Sequence, residues 1–166
     1  MRCRSVTDVR DTRLLSGIEP MEALYREIGS NLWRSLFAYS GDREIASDAL
    51  AEAFAQAIAR GDEVRSPEPW IWTAAFRIAA GELARRKPNS LGSREPTYEL
   101  PAPADHLVTA LKQLPANQRI AVVMHDYADR PTKEIAEALD ISVATVHVHL
   151  SRGRRRLRQL VEGTYG

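Results

Sequence analysis

The chain has few of the features that would set it apart from an ordinary globular protein. A single cysteine, Cys3, in 166 residues permits neither an internal disulfide nor a cysteine-built metal site, which fits a reducing compartment. No stretch approaches the ~20 apolar residues a membrane span requires, so membrane insertion is not expected. The segment MRCRSVTDVRD has basic residues but no apolar run behind them; it does not read as a secretory signal, and a cytoplasmic protein is expected. Nine glycines and nine prolines are too few for a low-complexity polymer. There is no glycine-rich phosphate loop, paired His-Glu metal motif or nucleophile elbow, and Glu134 and Glu137 sit at ordinary surface spacing on a helix. The reading is of a non-enzyme without a cofactor.

Net charge is also nearly absent, at +1, but the charges are unevenly placed. Up to residue 104 there are 14 basic and 15 acidic side chains, and beyond it 9 and 7. From Ser142 onward, five arginines (Arg152, Arg154, Arg155, Arg156, Arg158) face one acid, Glu162. A basic C-terminal segment on a neutral chain is a local footprint for phosphate. Its bland alternative is a solvated helix end that complements the helix dipole.

Apolar residues recur at helical spacing almost throughout, and no run alternates as a half-buried strand does, so an all-α fold is expected. A first helix is predicted from about Glu19 to Tyr39, with Leu24, Ile28, Leu32, Leu36 and Tyr39 as its stripe. Asp42 then caps an alanine-rich helix from Arg43 to Arg60. After the loop from Gly61 to Pro67, a third helix starts at the prolines and ends near Lys87. Pro88, Pro96, Pro101 and Pro103 mark an extended linker over 88–104. Residues 1–20 are expected as an N-terminal arm, 21–87 as one small helical domain and 105–166 as a second.

In the second domain, helices are predicted over His106 to Leu114 and from Pro115 to about Tyr127. A short helix follows, capped by Thr132 and directing Ile135, Ala136 and Leu139 inward. Ser142 then caps a longer basic helix. Short helix, tight turn and longer basic helix are the layout of a helix-turn-helix, whose second helix enters the major groove. On a helical wheel, Val143, Val146, Leu150 and Leu157 share one face. Ala144, Val148, Ser151, Arg152 and Arg155 lie opposite, flanked by Thr145 and His147. His147 and His149 point about 200° apart and cannot share a metal ion.

Residues 110–160 resemble region four of bacterial extracytoplasmic-function (ECF) sigma factors. The motifs L-P-x-x-Q-R, E-I-A-x-x-L, S-x-x-T-V and L-x-R-x-R-x-x-L stand at Leu114 to Arg119, Glu134 to Leu139, Ser142 to Val146 and Leu150 to Leu157. The N-terminal half is similar to region two of that family, through Leu24-Tyr25, Gly41-Asp42, Asp48, Glu52, Phe54 and Trp70. The resemblance implies a transcription initiation factor that binds core RNA polymerase and promoter DNA and has an anti-sigma partner. By position it assigns minus-thirty-five contacts to Ala144, Thr145, His147, Val148, Ser151, Arg152, Arg154, Arg155, Arg119 and Lys133. Minus-ten contacts fall to Arg65, Trp72, Arg77, Arg85 and Arg86, and polymerase contacts to Asp48, Glu52 and Phe54. Phe54 and Trp70 also read as core. The chain departs from the family pattern with Arg77 and Gly81 in the third helix, Ala51 before Glu52, and His147 and His149 at positions commonly basic. Two other readings remain: a helix-turn-helix regulator that dimerises and binds DNA without polymerase, and a helical module that sequesters a partner.

Overall fold

The computed structural model describes residues 8–86 and 104–164, with side chains from Gly17 to Arg86 and from Ala104 to Gly163. Cys3 and the expected linker up to Pro103 lie outside the described residues. Helices α1 (Asp8–Ser40), α2 (Arg43–Arg60) and α3 (Pro67–Arg85) form the N-terminal group. The C-terminal group consists of α4 (Asp105–Lys112), α5 (Ala116–Val122), α6 (Thr132–Leu139) and α7 (Val143–Thr164). No strand occurs among the described residues.

Helix α1 starts well before Glu19, so the backbone expected as an arm is helical from Asp8 and runs through Pro20. Its predicted stripe is the core of the N-terminal group: Leu32, Leu36 and Tyr39 are buried, and they meet Ile45, Ala46, Ala49, Ala53 and Ala57 of α2 and Ile71, Trp72, Ala75 and Phe76 of α3. The alanines of α2 permit this close approach of three helices, because each contributes a single methyl. Gly41 turns α1 into α2 at φ +65°, where a side chain would also overlap Lys112 of α4. Asp42 caps α2, its carboxylate accepting the Glu44 and Ile45 amides at 2.9 and 3.1 Å.

In the C-terminal group, the predicted helix from Pro115 divides into α5 and a π-helical turn, Val123–Tyr127. Thr132 does not cap α6: it is the first helical residue, and Pro131 precedes it with no side-chain cap. Asp140, at φ 54°, ends α6 in the left-handed conformation that tight helix-to-helix turns require. Glu134, read as a surface residue, is buried because Arg130 four positions earlier pairs with it.

The two helix groups touch. Helix α3 lies against α6, and α1 lies against α4 and the π-helical turn. Val108 and Leu111 join the same buried cluster as Tyr39 and Phe76.

Candidate nucleic-acid interface

Helix α7 is held in place from its cap inward. The Ser142 Oγ accepts the Thr145 amide at 3.1 Å and lies 2.8 Å from the Thr145 hydroxyl. Val146 and Leu150 then turn into the core, with Leu157 packed against it. Gly153 lets α7 sit directly on α5: a Cβ there would come within 2.8 Å of Val122 Cγ2 and 3.3 Å of the Gln118 carbonyl oxygen. Val143, expected inward, is 41% exposed. Packing begins only at Val146, so the whole turn from Ser142 to Ala144 faces solvent.

The other side of α7 is an unbroken stripe. Ala144, His147, Val148, Ser151, Arg152 and Arg155 are all exposed, at intervals of three and one that keep them on one helical face. Thr145 is half-buried and engaged by its cap. Among the described residues, no hydrogen bond or ion pair engages Arg152 or Arg155. Lys133 is exposed at the start of α6.

Two arginines assigned to DNA are held within the protein instead. Arg154 forks onto Asp126, with Nε at 2.8 Å from Oδ2 and Nη2 at 2.6 Å from Oδ1, and Nη2 lies 3.1 Å from His125 Nδ1. The hydrogen bond from Arg154 holds the Asp126 carboxyl below the ordinary carboxylate range against partial burial, helped by His125. Arg119 is half-buried. It donates to the Tyr39 carbonyl at 3.2 Å and to the Lys112 and Leu114 carbonyls at 3.1 Å, with its guanidinium 5.4 Å from the Tyr39 ring centroid. Burial pushes the Arg119 guanidinium below its ordinary value, with Tyr39 opposing. Both side chains satisfy backbone or carboxylate groups that sequence spacing does not reveal.

On the N-terminal group, Asp48 and Glu52 project from α2 into an open cleft of about 670 Å³ bordered by Ile78, Glu82 and Arg85. Phe54 faces the other way, 6% exposed, with its ring 5.1 Å from that of Tyr25. A second cleft, of about 680 Å³, opens beside the loop between α2 and α3 and is lined by Gln56, Arg60, Arg65, Trp70, Thr73, Arg77 and Glu137. Arg60 lies 5.3 Å over the Trp70 ring, and the Thr73 hydroxyl is buried without a partner among the described residues.

The remaining minus-ten assignments are dispersed. Trp72 is 1% exposed and stacked 6.3 Å from Phe76, so it is core rather than a free stacking platform. Arg77 donates to the carbonyls of Glu137 and Ala138 on α6. Arg85 pairs with Glu82 at 3.1 Å and stays largely exposed. Arg86 pairs with Asp42 at 2.8 Å and lies 3.7 Å from Glu44, tying the end of α3 to the start of α2.

Three residues central to these contacts were not singled out from the sequence. Arg130 binds Glu134 in a fork and reaches Glu68 of α3, with its guanidinium 5.0 Å over Trp72. Burial works against the Arg130 charge, but Glu134 and Glu68 more than offset it and leave its pKa above the ordinary value. The i,i+4 spacing of Arg130 and Glu134 was a readable signal. Glu68 and Asp126 carried none, because their partners are distant in sequence.

Residues 105–157 match the family model described as sigma-70, region 4. The chain is 31% identical over 153 residues to the ECF RNA polymerase sigma factor SigL of Mycobacterium tuberculosis, found in three strains, covering 83% of this chain and 86% of the relative. Among solved structures, it superposes on CnrH in complex with the cytosolic domain of CnrY with a TM-score of 0.70 at 17% identity, covering 92% of this chain and 94% of that one. The sigma factor RpoE from Bartonella quintana, crystallised with the anti-sigma factor NepR, gives 0.66 at 18% identity over 85% and 98% of the two chains. Those two likenesses establish a shared fold, while the identity to SigL over most of both chains establishes kinship. The chain belongs to the ECF RNA polymerase sigma factors.

Proposed function

We propose that the chain binds core RNA polymerase in the cytoplasm and directs it to promoters, α7 reading the minus-thirty-five element in the major groove and the α2–α3 surface engaging the minus-ten element. The observation that carries this reading is the outward stripe of α7. Ala144, Val148 and Ser151 supply small contacts for base edges, His147 supplies an imidazole able to hydrogen-bond there, and Arg152 and Arg155 beyond them are unengaged and suited to phosphates or guanine. Lys133, near the start of α6, adds a phosphate contact. Thr145, Arg154 and Arg119 serve this surface by fixing its frame.

On the N-terminal group, Arg65, Trp70 and Arg77 border a cleft of about 680 Å³ that suits an unstacked base, with Arg85 at the far end of the helix for backbone phosphate. Trp72 and Arg86 support that surface from behind. Asp48 and Glu52 offer two exposed carboxylates to the polymerase, and Phe54 braces α2 beneath them. The named complexes of CnrH with CnrY and of RpoE with NepR support a protein partner of the anti-sigma kind for this chain as well.

Transcription in vitro with purified core polymerase on a library of upstream sequences tests the reading. The expected result is selection of a two-part promoter whose upstream element is read more weakly, at one position or uniformly, by an Arg152→Ala variant. Failure to associate with core polymerase, or tight promoter binding as a dimer without it, would overturn the proposal.

A further inference from the structure

Among the described residues, Val148 is the most exposed large apolar side chain of the C-terminal helix group, at 44%. It belongs neither to the buried apolar cluster nor to the side chains packed against it. Val148 follows Val146 by two residues and precedes Leu150 by two, a rotation of about 200° from each. Both of those neighbours are buried, so Val148 points directly away from the core and forms the crest of α7. A β-branched residue is a poorer helix former than alanine, and here it gains no place in the core. For the fold alone, alanine would serve better.

Ala144, one turn earlier, lies on the same exposed face about 6 Å along the helix axis. The two side chains make a narrow apolar crest with a polar margin: His147 and Ser151 on one side, Arg152 on the other and Arg155 beyond, all exposed. From Val143 to Val161 the sequence has no acid. One isopropyl group and one methyl are far too small for the apolar centre of a protein interface, which takes about 800 Å² from each partner. They match a single apolar group of the major groove, the C5 methyl of thymine. The distance between them is close to two base-pair steps of about 3.4 Å, and the free arginines on the margin suit the flanking phosphates.

Resting on the reading of α7 as the minus-thirty-five reader, we infer that Val148 and Ala144 recognise thymine methyl groups, so that the upstream element of this chain is set in part by 5-methyls and not by hydrogen bonds alone. Val148, at the crest, reaches farthest into the groove and carries most of the discrimination. Cytosine at the same step lacks the methyl and brings an amino group that valine leaves without an acceptor.

The test uses holoenzyme reconstituted from the full chain and core polymerase, on a promoter that it has selected, with deoxyuridine replacing each thymine of the upstream element in turn. Deoxyuridine keeps every hydrogen-bonding group of thymine and removes only the methyl. Binding by the parent should fall about 3- to 5-fold at one or two thymines, the ratio for one methyl taken out of contact. In Val148→Ala, which alters an exposed site outside the core, the penalty at one of those thymines should disappear, as a double-mutant cycle requires of a direct contact. An upstream element without thymine, or parent binding indifferent to every deoxyuridine, would overturn the inference. So would a penalty that Val148→Ala leaves intact, or a Val148→Ala variant that loses affinity for core polymerase instead, which marks the crest as a protein contact. The promoter reading is tested separately: it stands if Arg152→Ala weakens use of a selected upstream element whether or not the methyls matter, and a holoenzyme that selects no upstream element overturns both.

Discussion

Arg152 and Arg154 are two residues apart on the same helix, yet the structure gives them opposite duties. Arg152→Ala removes an exposed cation that no hydrogen bond or ion pair engages among the described residues, so folding stability should stay within about 0.5 kcal/mol of the parent. Its effect belongs to DNA: one lost phosphate contact reduces the slope of log affinity against log salt by about 0.9, and a lost base contact costs about 1–3 kcal/mol at one promoter position. Arg154→Ala removes the two hydrogen bonds that Arg154 donates to Asp126 and leaves the one shared with His125. Because Asp126 is 36% exposed on its side chain, water replaces much of the loss, and the destabilisation should be about 1 kcal/mol. Urea unfolding of the two variants, together with promoter affinity of each reconstituted holoenzyme across a salt series, separates the effects. The reasoning fails if Arg152→Ala leaves affinity and salt slope unchanged, or if Arg154→Ala changes the slope as much as Arg152→Ala does while leaving stability untouched.

Three further outcomes follow from the geometry. Asp48→Asn and Glu52→Gln should leave the fold intact while weakening association with core polymerase in a pull-down, whereas Phe54→Ala, which empties a buried site, should cost about 3–5 kcal/mol in urea unfolding. Asp42→Ala removes the α2 cap and the partner of Arg86 together, and should destabilise by about 1–2 kcal/mol in the same assay. Asp126 has a folded pKa below its unfolded value, so its contribution is present above about pH 4 and is lost as pH falls through the folded value. The stability difference between the parent and Asp126→Asn should therefore shrink on acidification, and a difference that grows below about pH 4 would contradict the pairing.

The fold was largely legible because its signals are local. Leu32, Leu36 and Tyr39 advertise a helix face by spacing alone, and Asp42 and Ser142 act as the caps their positions suggest. Thr132 failed as a cap because Pro131 already sets the backbone entering α6. The start of α1 was missed: the expected helix began at about Glu19, whereas the helix begins at Asp8 and continues through Pro20. The interface was half legible. The stripe from Ala144 to Arg155 follows from periodicity, but the contacts of Arg119, Arg77 and Arg130 join residues about 60 to 80 positions apart, which no local pattern encodes.

For α7 the division between the arginines could have been read one step further. Leu150 faces the core; Arg154, four residues on, is rotated only about 40° from it, so it must flank the buried face, beside Gly153 and above the π-helical turn that carries Asp126. Arg152 is rotated about 200° from Leu150 and has only solvent before it. A run of basic residues on a helix thus contains two populations fixed by rotation: those beside the core, which find a carboxylate, and those opposite it, which stay free. On a chain with net charge +1, only the second population is left to attract DNA. Affinity of the isolated protein for duplex promoter should accordingly be weak, with a shallow salt slope of about 0.9 for each free cation that meets a phosphate, and strong binding requires the polymerase to supply further phosphate contacts.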